Sequence, residues 1–477
     1  MPSSLQRIER FQPVLVFTLF SLLYVGVIRL MQLHCFSYFD LGIYADALTR
    51  IRVGDLNPYI PGRSIRIFND HFDPILVPFS IFTRFVPAPY LGLTLDFIML
   101  AACWFPLVAL KRAKILTANQ TVFAYAFLIL NAAMVSALTW PFHPTTWAIL
   151  PLVCLFTFYI LERWTALALS FAILCLFREE FPLIGFPLAL VLAFDRKVKP
   201  AVTIFVIALM WTVFLFVLRP AWFGSTSTYG QDLLKNFLLN PFAQLSEITK
   251  FGSIRMWLER LSPLLLVLSW ASFKKNWRST LRVLIIASPI IGIRYASNQW
   301  AFHYGPAAVI SFFFAFVLIF RDATAAVWRQ RLAWVLIFVF FLSPTTKNLW
   351  DAFSTGSSHF AYKNCPAQPD RLASIEKAQN WLAQSDLKRV LMQNNLAPTQ
   401  MIRSNAQDLF ILAGPQNDLA ATYDAVLVEK NHHGDAWRIG HERILDLIEI
   451  YKKDPQISVI QDDDFVFLAV GKIALDR

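Results

Sequence analysis

Acidic residues are scarce over the first 344 positions of this 477-residue chain, 15 Asp and Glu against 29 Lys and Arg. Cysteine is scarcer still: the chain has five, none at a metal-ligand spacing, which excludes a zinc module built on Cys pairs. The 16 glycines form no phosphate-cradling loop, so neither a P-loop nor a dinucleotide fingerprint is present. Repeats and low-complexity tracts are also missing. The run Phe11–Met31 follows Arg7 and Arg10 in the manner of a secretory signal, but no small-residue cleavage site follows, so it reads as an uncleaved first span.

Apolar residues are abundant, at 56% with 44 Phe, where soluble domains average about 45–50%. A bilayer crossing takes roughly 17–25 apolar residues. The apolar runs predict a polytopic all-α membrane domain of about 11 spans, near 11–31, 90–110, 118–138, 144–161, 165–177, 181–194, 200–218, 256–273, 280–293, 305–320 and 332–344. Cys103, Cys154 and Cys175 fall inside these runs and read as packing residues.

Charge divides the chain at the same place. Residues 1–344 carry +14, whereas residues 345–477, with 14 basic and 17 acidic side chains, carry −3. The basic balance therefore belongs to the membrane part. It suits contact with membrane lipids and gives no argument for nucleic acid. Under alternating topology one side collects Arg7, Arg10, Lys111, Arg112, Lys114, Arg163, Arg196, Lys197, Lys199, Lys274, Lys275, Arg278, Arg321, Arg329 and Arg331, and the short loops opposite hold only Arg178 and Arg294. The positive-inside rule then puts the amino terminus in the cytoplasm, and an odd span count puts the tail outside.

Two domains are expected: a membrane domain, 1–344, with outer loops 32–89 and 219–255, and a soluble outward α/β domain, 345–477. In the first loop, Asp73–Pro87 is apolar but short and broken by prolines, so it reads as surface helix rather than a span. Gly224–Leu245 reads as a polar loop followed by an amphipathic helix. In the tail, Asp370–Ser385 and Trp437–Lys453 read as helices. Arg389–Gln393 and Ala425–Glu429 read as strands, and Ile457–Ile460 with Phe465–Val470 as a hairpin around Gln461–Asp464.

Four motifs capable of chemistry fall on the outward side. Phe39–Leu48 (FDLGIYADAL) and Asn69–Pro74 (NDHFDP) place Asp40, Asp46, Asp70, His71 and Asp73 near a membrane face. Thr139–Thr145 holds His143 between prolines, Arg178–Glu180 (REE) sits between two short apolar halves, and Gln299–Pro306 sets His303 beside Tyr304. Charge at membrane depth costs on the order of 2.5–3.5 kcal/mol on insertion scales, so such residues are paired or face a wet cavity. Carboxylates, His and an Arg on one side could grip a phosphate ester and deprotonate an acceptor. Taken singly, each motif also has a plainer reading: a solvated loop, a hydrogen-bonded interface histidine, or an ion pair at a helix break. Asp40 could equally cap a helix beginning near Leu41.

The order of these motifs, FDLGIYADAL, DHFDPI, FHP, REEF and FHYGPA, resembles a bacterial membrane family catalogued as domain of unknown function 2079. Its usual forms are FDLGIFDQ, DHFSPI, FDFHPE, KED and YHYAA. That family is similar to the GT-C class of membrane glycosyltransferases, in which an acid of the first outer loop is base or metal ligand. The resemblance implies transfer of a sugar from a polyprenyl-phosphate donor at the periplasmic face of a bacterial inner membrane. It assigns Asp40 as base or ligand to a divalent cation (Mg or Mn), with Asp70 and His71 assisting. It sets Arg178 on the donor phosphate with Glu179 beside it, and His143, His303 and Tyr304 in substrate binding. This chain departs from the pattern at Ala45 and Asp46, where the family has Asp and Gln, and at Pro141 and Thr145, where it has Asp and Glu. Asp46 and Asp73 are the acids available to compensate. A transporter or flippase of a lipid-linked molecule, with charge at a broken helix, and a non-catalytic envelope assembly protein are the alternatives.

Overall fold

The computed structural model describes residues 4–34, 39–62, 65–139, 142–223, 277–297, 305–320, 368–404, 407–412, 422–430 and 440–474. The expected spans 256–273 and 332–344 lie outside these residues, as do Gly224–Leu245, Pro141, His303 and Tyr304. The described chain is mostly helical, with a small C-terminal sheet domain. Among the described residues, three helices are long and apolar enough to cross a membrane: Val14–Gln32, Ala88–Arg112 and Val198–Phe223. Several other apolar helices are shorter, and some of their breaks have local causes. Between Ala118–Leu130 and Ala132–Thr139, Asn131 donates to the carbonyls of Phe127 and Leu128 and accepts from the Met134 amide, capping both segments with one side chain. Thr117 opens the first of these with a capping box closed by Gln120. Gly185 lets helices approach: a Cβ there would lie 2.5 Å from that of Ala208 and 2.4 Å from the Phe171 ring.

The chain divides into two compact units. One comprises Met1–Leu23, Phe68–Ile75 and Leu95–Leu349, the other Tyr24–Ile67, Leu76–Thr94 and Trp350–Arg477. The second unit thus groups most of the first outer loop with the tail. Its loop portion holds the helix Phe39–Arg52, a two-residue hairpin (β1, Tyr59–Ile60; β2, Ile65–Arg66) and the short helices Leu76–Ser80 and Ile81–Arg84.

The tail sheet contains β3 (Arg389–Met392), β4 (Asp408–Ile411), β5 (Thr422–Glu429), β6 (Ile457–Asp462) and β7 (Val466–Ala474), in the order β4-β3-β5-β7-β6. β3 runs parallel to β4 and β5, and the β6–β7 hairpin adds antiparallel to β5. Helix His441–Lys453 puts Ile444, Leu447, Ile448 and Tyr451 on one stripe, which packs on Leu391, Val426, Phe467 and Ala469. β4 and the helix Ala397–Arg403 add to the elements expected from sequence.

Arg371 and Glu429 form a bidentate ion pair with both side chains fully excluded from solvent. Removing one partner of such a pair strands the other charge in the interior and typically costs about 3–5 kcal/mol. Arg371→Ala should therefore lower the stability of this unit by about that amount in denaturant unfolding of the full chain, while Lys377→Ala, on the same helix, should change it little.

Candidate functional site

In the first unit, the turn Arg178–Glu180 joins the helix Trp164–Leu174 to the 3₁₀ turn Phe181–Ile184. The segment Phe68–Ile75 runs beside it, and the Ile75 amide donates to the Leu176 carbonyl at 3.1 Å. This contact brings two sequence motifs into register. His71 Nδ1 lies 3.0 Å from Glu179 Oε1, and the Phe72 amide donates to Oε2 of the same carboxylate at 3.3 Å. On the other side of the ring, Arg178 Nη2 stands 3.3 Å from His71 Nε2. Glu179 therefore orients both the ring and the backbone that carries it. The His71 and Glu179 side chains keep 13% and 12% exposure, so the dyad is enclosed without being sealed.

Both acids of Arg178–Glu180 also pair outward from the turn. Glu179 goes to His71, and Glu180 forms a buried ion pair with Arg294. Adjacent side chains of a turn diverge, so each acid reaches a different neighbour. Arg219, fully buried, donates through Nε and Nη2 to the Phe68 carbonyl at 3.0 and 2.7 Å, and its guanidinium lies 5.7 Å from the Phe72 ring centroid. A five-residue π-helical stretch, Phe214–Leu218, leads directly into Arg219 and changes the angular position at which it leaves the helix. Arg219 and Arg294 are functional candidates that sequence reasoning passed over. The signal was there for Arg294, a lone charge at the end of an apolar run.

His143 caps the short helix Pro144–Trp147. Its Nδ1 accepts from the Thr145 amide at 3.2 Å, which leaves Nε2 to carry the ring N–H. Its ring stands edge-on to that of His71, centroids 6.1 Å apart. Thr145, where the family has Glu, thus serves the cap. Asp70 ends the helix Ile67–Asp70, with its carbonyl 3.5 Å from Arg219 Nη2, and Asp73 is fully buried.

Asp40 and Asp46 belong to the second unit. The helix bearing them begins at Phe39, so Asp40 stands within its first turn rather than at the N-cap, where the helix dipole favours a carboxylate. Asp46 binds Arg50 at 2.8 Å, and Arg50 reaches Asp408 of the tail at 2.5 Å. Asp46 is thus a structural partner of Arg50. Among the described residues no group of three or more His, Cys, Asp or Glu is placed to hold a metal ion.

Residues 29–450 match the family described as Predicted membrane protein (DUF2079). The chain belongs to this family. No curated protein matches it. Among solved structures it is similar to apo ArnT from Cupriavidus metallidurans, with 10% identity, a TM-score of 0.49, and coverage of 95% of this chain and 98% of that one. Within the family's motifs, DHFDPI and REEF meet through His71, Arg178 and Glu179.

Burial and Arg178 oppose a charge on His71, but the Glu179 carboxylate in contact with it, together with Asp70, outweighs them and raises its pKa above 6.5. A raised basic group contributes stability that is complete below its unfolded value, about 6.5, and is lost as pH rises through the folded value. The thermal midpoint should therefore decline on that alkaline limb, and His71→Gln should remove the decline. A wild-type midpoint that is flat there would contradict a charged His71.

Proposed function

We propose that the chain is a GT-C-like glycosyltransferase of a bacterial inner membrane that moves a sugar from a polyprenyl-phosphate donor at the periplasmic face. The observation that carries this reading is the cluster Arg178–His71–Glu179, in which a guanidinium stands beside a carboxylate-oriented imidazole, drawn from two motifs of a membrane family. Guanidinium binds phosphate with directional charge-assisted hydrogen bonds. Arg178 holds the donor phosphate. His71, whose protonated form Glu179 favours, donates a hydrogen bond or a proton to the phosphate as it leaves. Asp70 adds negative potential that favours the imidazolium, and His143 lines the His71 side of the head group. The family resemblance assigns His303, at the donor head group, and Tyr304 to substrate binding; both lie outside the described residues.

In the transfer the acceptor hydroxyl attacks the anomeric carbon and gives its proton to Asp40. The bond from that carbon to the phosphate oxygen breaks, and polyprenyl phosphate leaves with the electron pair. The cytoplasmic amino terminus and periplasmic tail follow from the charge distribution. If Asp40 instead holds Mg or Mn, transfer should stop with EDTA and return with the added cation.

Lipid mass spectrometry of the purified protein, followed by transfer assays with the lipid it carries, tests this reading. Asp40→Asn should lower transfer by about 10²–10⁴-fold, the usual loss for a general base, at near wild-type stability. Arg178→Gln should raise the donor KM as well as lower kcat. Vesicles in which the lipid-linked sugar crosses the bilayer with its sugar still attached would put the flippase reading in its place.

A further inference from the structure

Open α/β sheets hold ligands beyond the carboxyl ends of parallel strands, above all where successive connections diverge. β3 is such a place, with β4 and β5 parallel on either side. Gln393, Asn394 and Asn395 follow it, all buried, and the buried Glu429 ends β5. What occupies this end of the sheet is the chain's own exit from its first helix. Arg371 donates to the Leu33 carbonyl at 3.0 Å, and Asn395 donates to the His34 carbonyl at 3.1 Å. These carbonyls belong to the turn that follows the last helical residue, Gln32, where the chain leaves the helix. Asn395 also donates to Glu429 at 2.9 Å, joining the captured segment to the Arg371–Glu429 pair.

His34 is the one captured side chain that can change charge. It is buried, at φ +56°, and its Nδ1 lies 3.0 Å from Thr399 Oγ1. That hydroxyl donates to the Leu396 carbonyl and accepts from Gln379 Nε2, so the hydrogen bond is filled by a proton on His34 Nδ1. The charged groups around it are Arg371, from the helix Pro369–Gln384, and Arg403, from the helix Ala397–Arg403. Glu429, the carboxylate in the network, is engaged bidentately by Arg371. A second positive charge on the ring would thus meet two guanidinium groups in a dry site.

We propose that this contact is a pH-read latch: the tail holds the end of the first helix at Leu33 and His34 only while His34 is neutral, and acidification releases it. Burial, then Arg371 and Arg403, push the His34 pKa down to about 3. In the released segment it returns to about 6.5. Docking is then constant above that value and weakens about ten-fold per pH unit below it. The Asp46–Arg50–Asp408 contact is separate and keeps the helix Phe39–Arg52 tethered. The latch stands independently of the transfer reaction.

Hydrogen-exchange mass spectrometry on the full chain in lipid nanodiscs tests it, with rates corrected for intrinsic pH dependence. From pH 6.5 to pH 5.5, protection in peptides covering 29–34 and 393–403 should fall several-fold, towards ten-fold at lower pH, while the β5–β7 core stays protected. His34→Asn retains a donor near the Nδ1 position and tolerates positive φ, so it should stay docked and lose the pH dependence. An equal fall in His34→Asn, or none in wild type, overturns the latch. Histidine ring NMR supplies a readout that needs no variant to fold: a His34 resonance titrating near 6.5 while the segment stays protected also overturns it.

Discussion

A charge inside an apolar helical assembly persists only with a partner, and the turn Arg178–Glu180 has two acids to place. Glu179 finds His71, 108 positions earlier, and Glu180 finds Arg294, 114 positions later. These pairs hold together segments that the chain separates widely, and the candidate site depends on them. The Ile75–Leu176 backbone bond and the grip of Arg219 on Phe68 fix the loop, but Glu179 gives the imidazole its orientation and favours its protonated form. The same carboxylate accepts the Phe72 amide, so ring and backbone are set by one group.

The second unit follows the same rule with different chemistry. Its buried pair, Arg371–Glu429, extends through Asn395 to the helix end at Leu33 and His34. Here the pair and Asn395 supply donors to carbonyls of the turn where the chain leaves the helix. A surface ion pair of similar geometry would contribute little. Full burial makes this one a fixed point to which the tail and the start of the first outer loop both attach.

Much of this was legible in the sequence because it is encoded locally. Apolar runs mark the helices, and the heptad-like stripe of Ile444, Leu447, Ile448 and Tyr451 marks the tail helix. The β-type runs mark β3, β5, β6 and β7. β4 was not legible: Asp408–Ile411 is four residues long, and its identity as a strand comes from pairing with β3. The helix Ala397–Arg403 begins with an Ala-Pro pair that reads equally as a turn. The motif acids were identifiable as candidates, but their partners were not. Asp46 looked like a substitute for a missing family acid and turned out to be the partner of Arg50, because an i,i+4 neighbour and Asp408 were both in reach.

Sequence by itself determined the class of the molecule, the division into an apolar basic part and a mildly acidic tail, and the motifs that identify the family. Those properties are sums over residues or patterns of short period, and a linear reading captures them. Only the tertiary structure decided which acid meets which base. Glu179 and Glu180 are neighbours with the same chemistry, yet one orients a histidine and the other neutralises an arginine. Their side chains leave the turn in different directions, and what lies there depends on how distant segments pack.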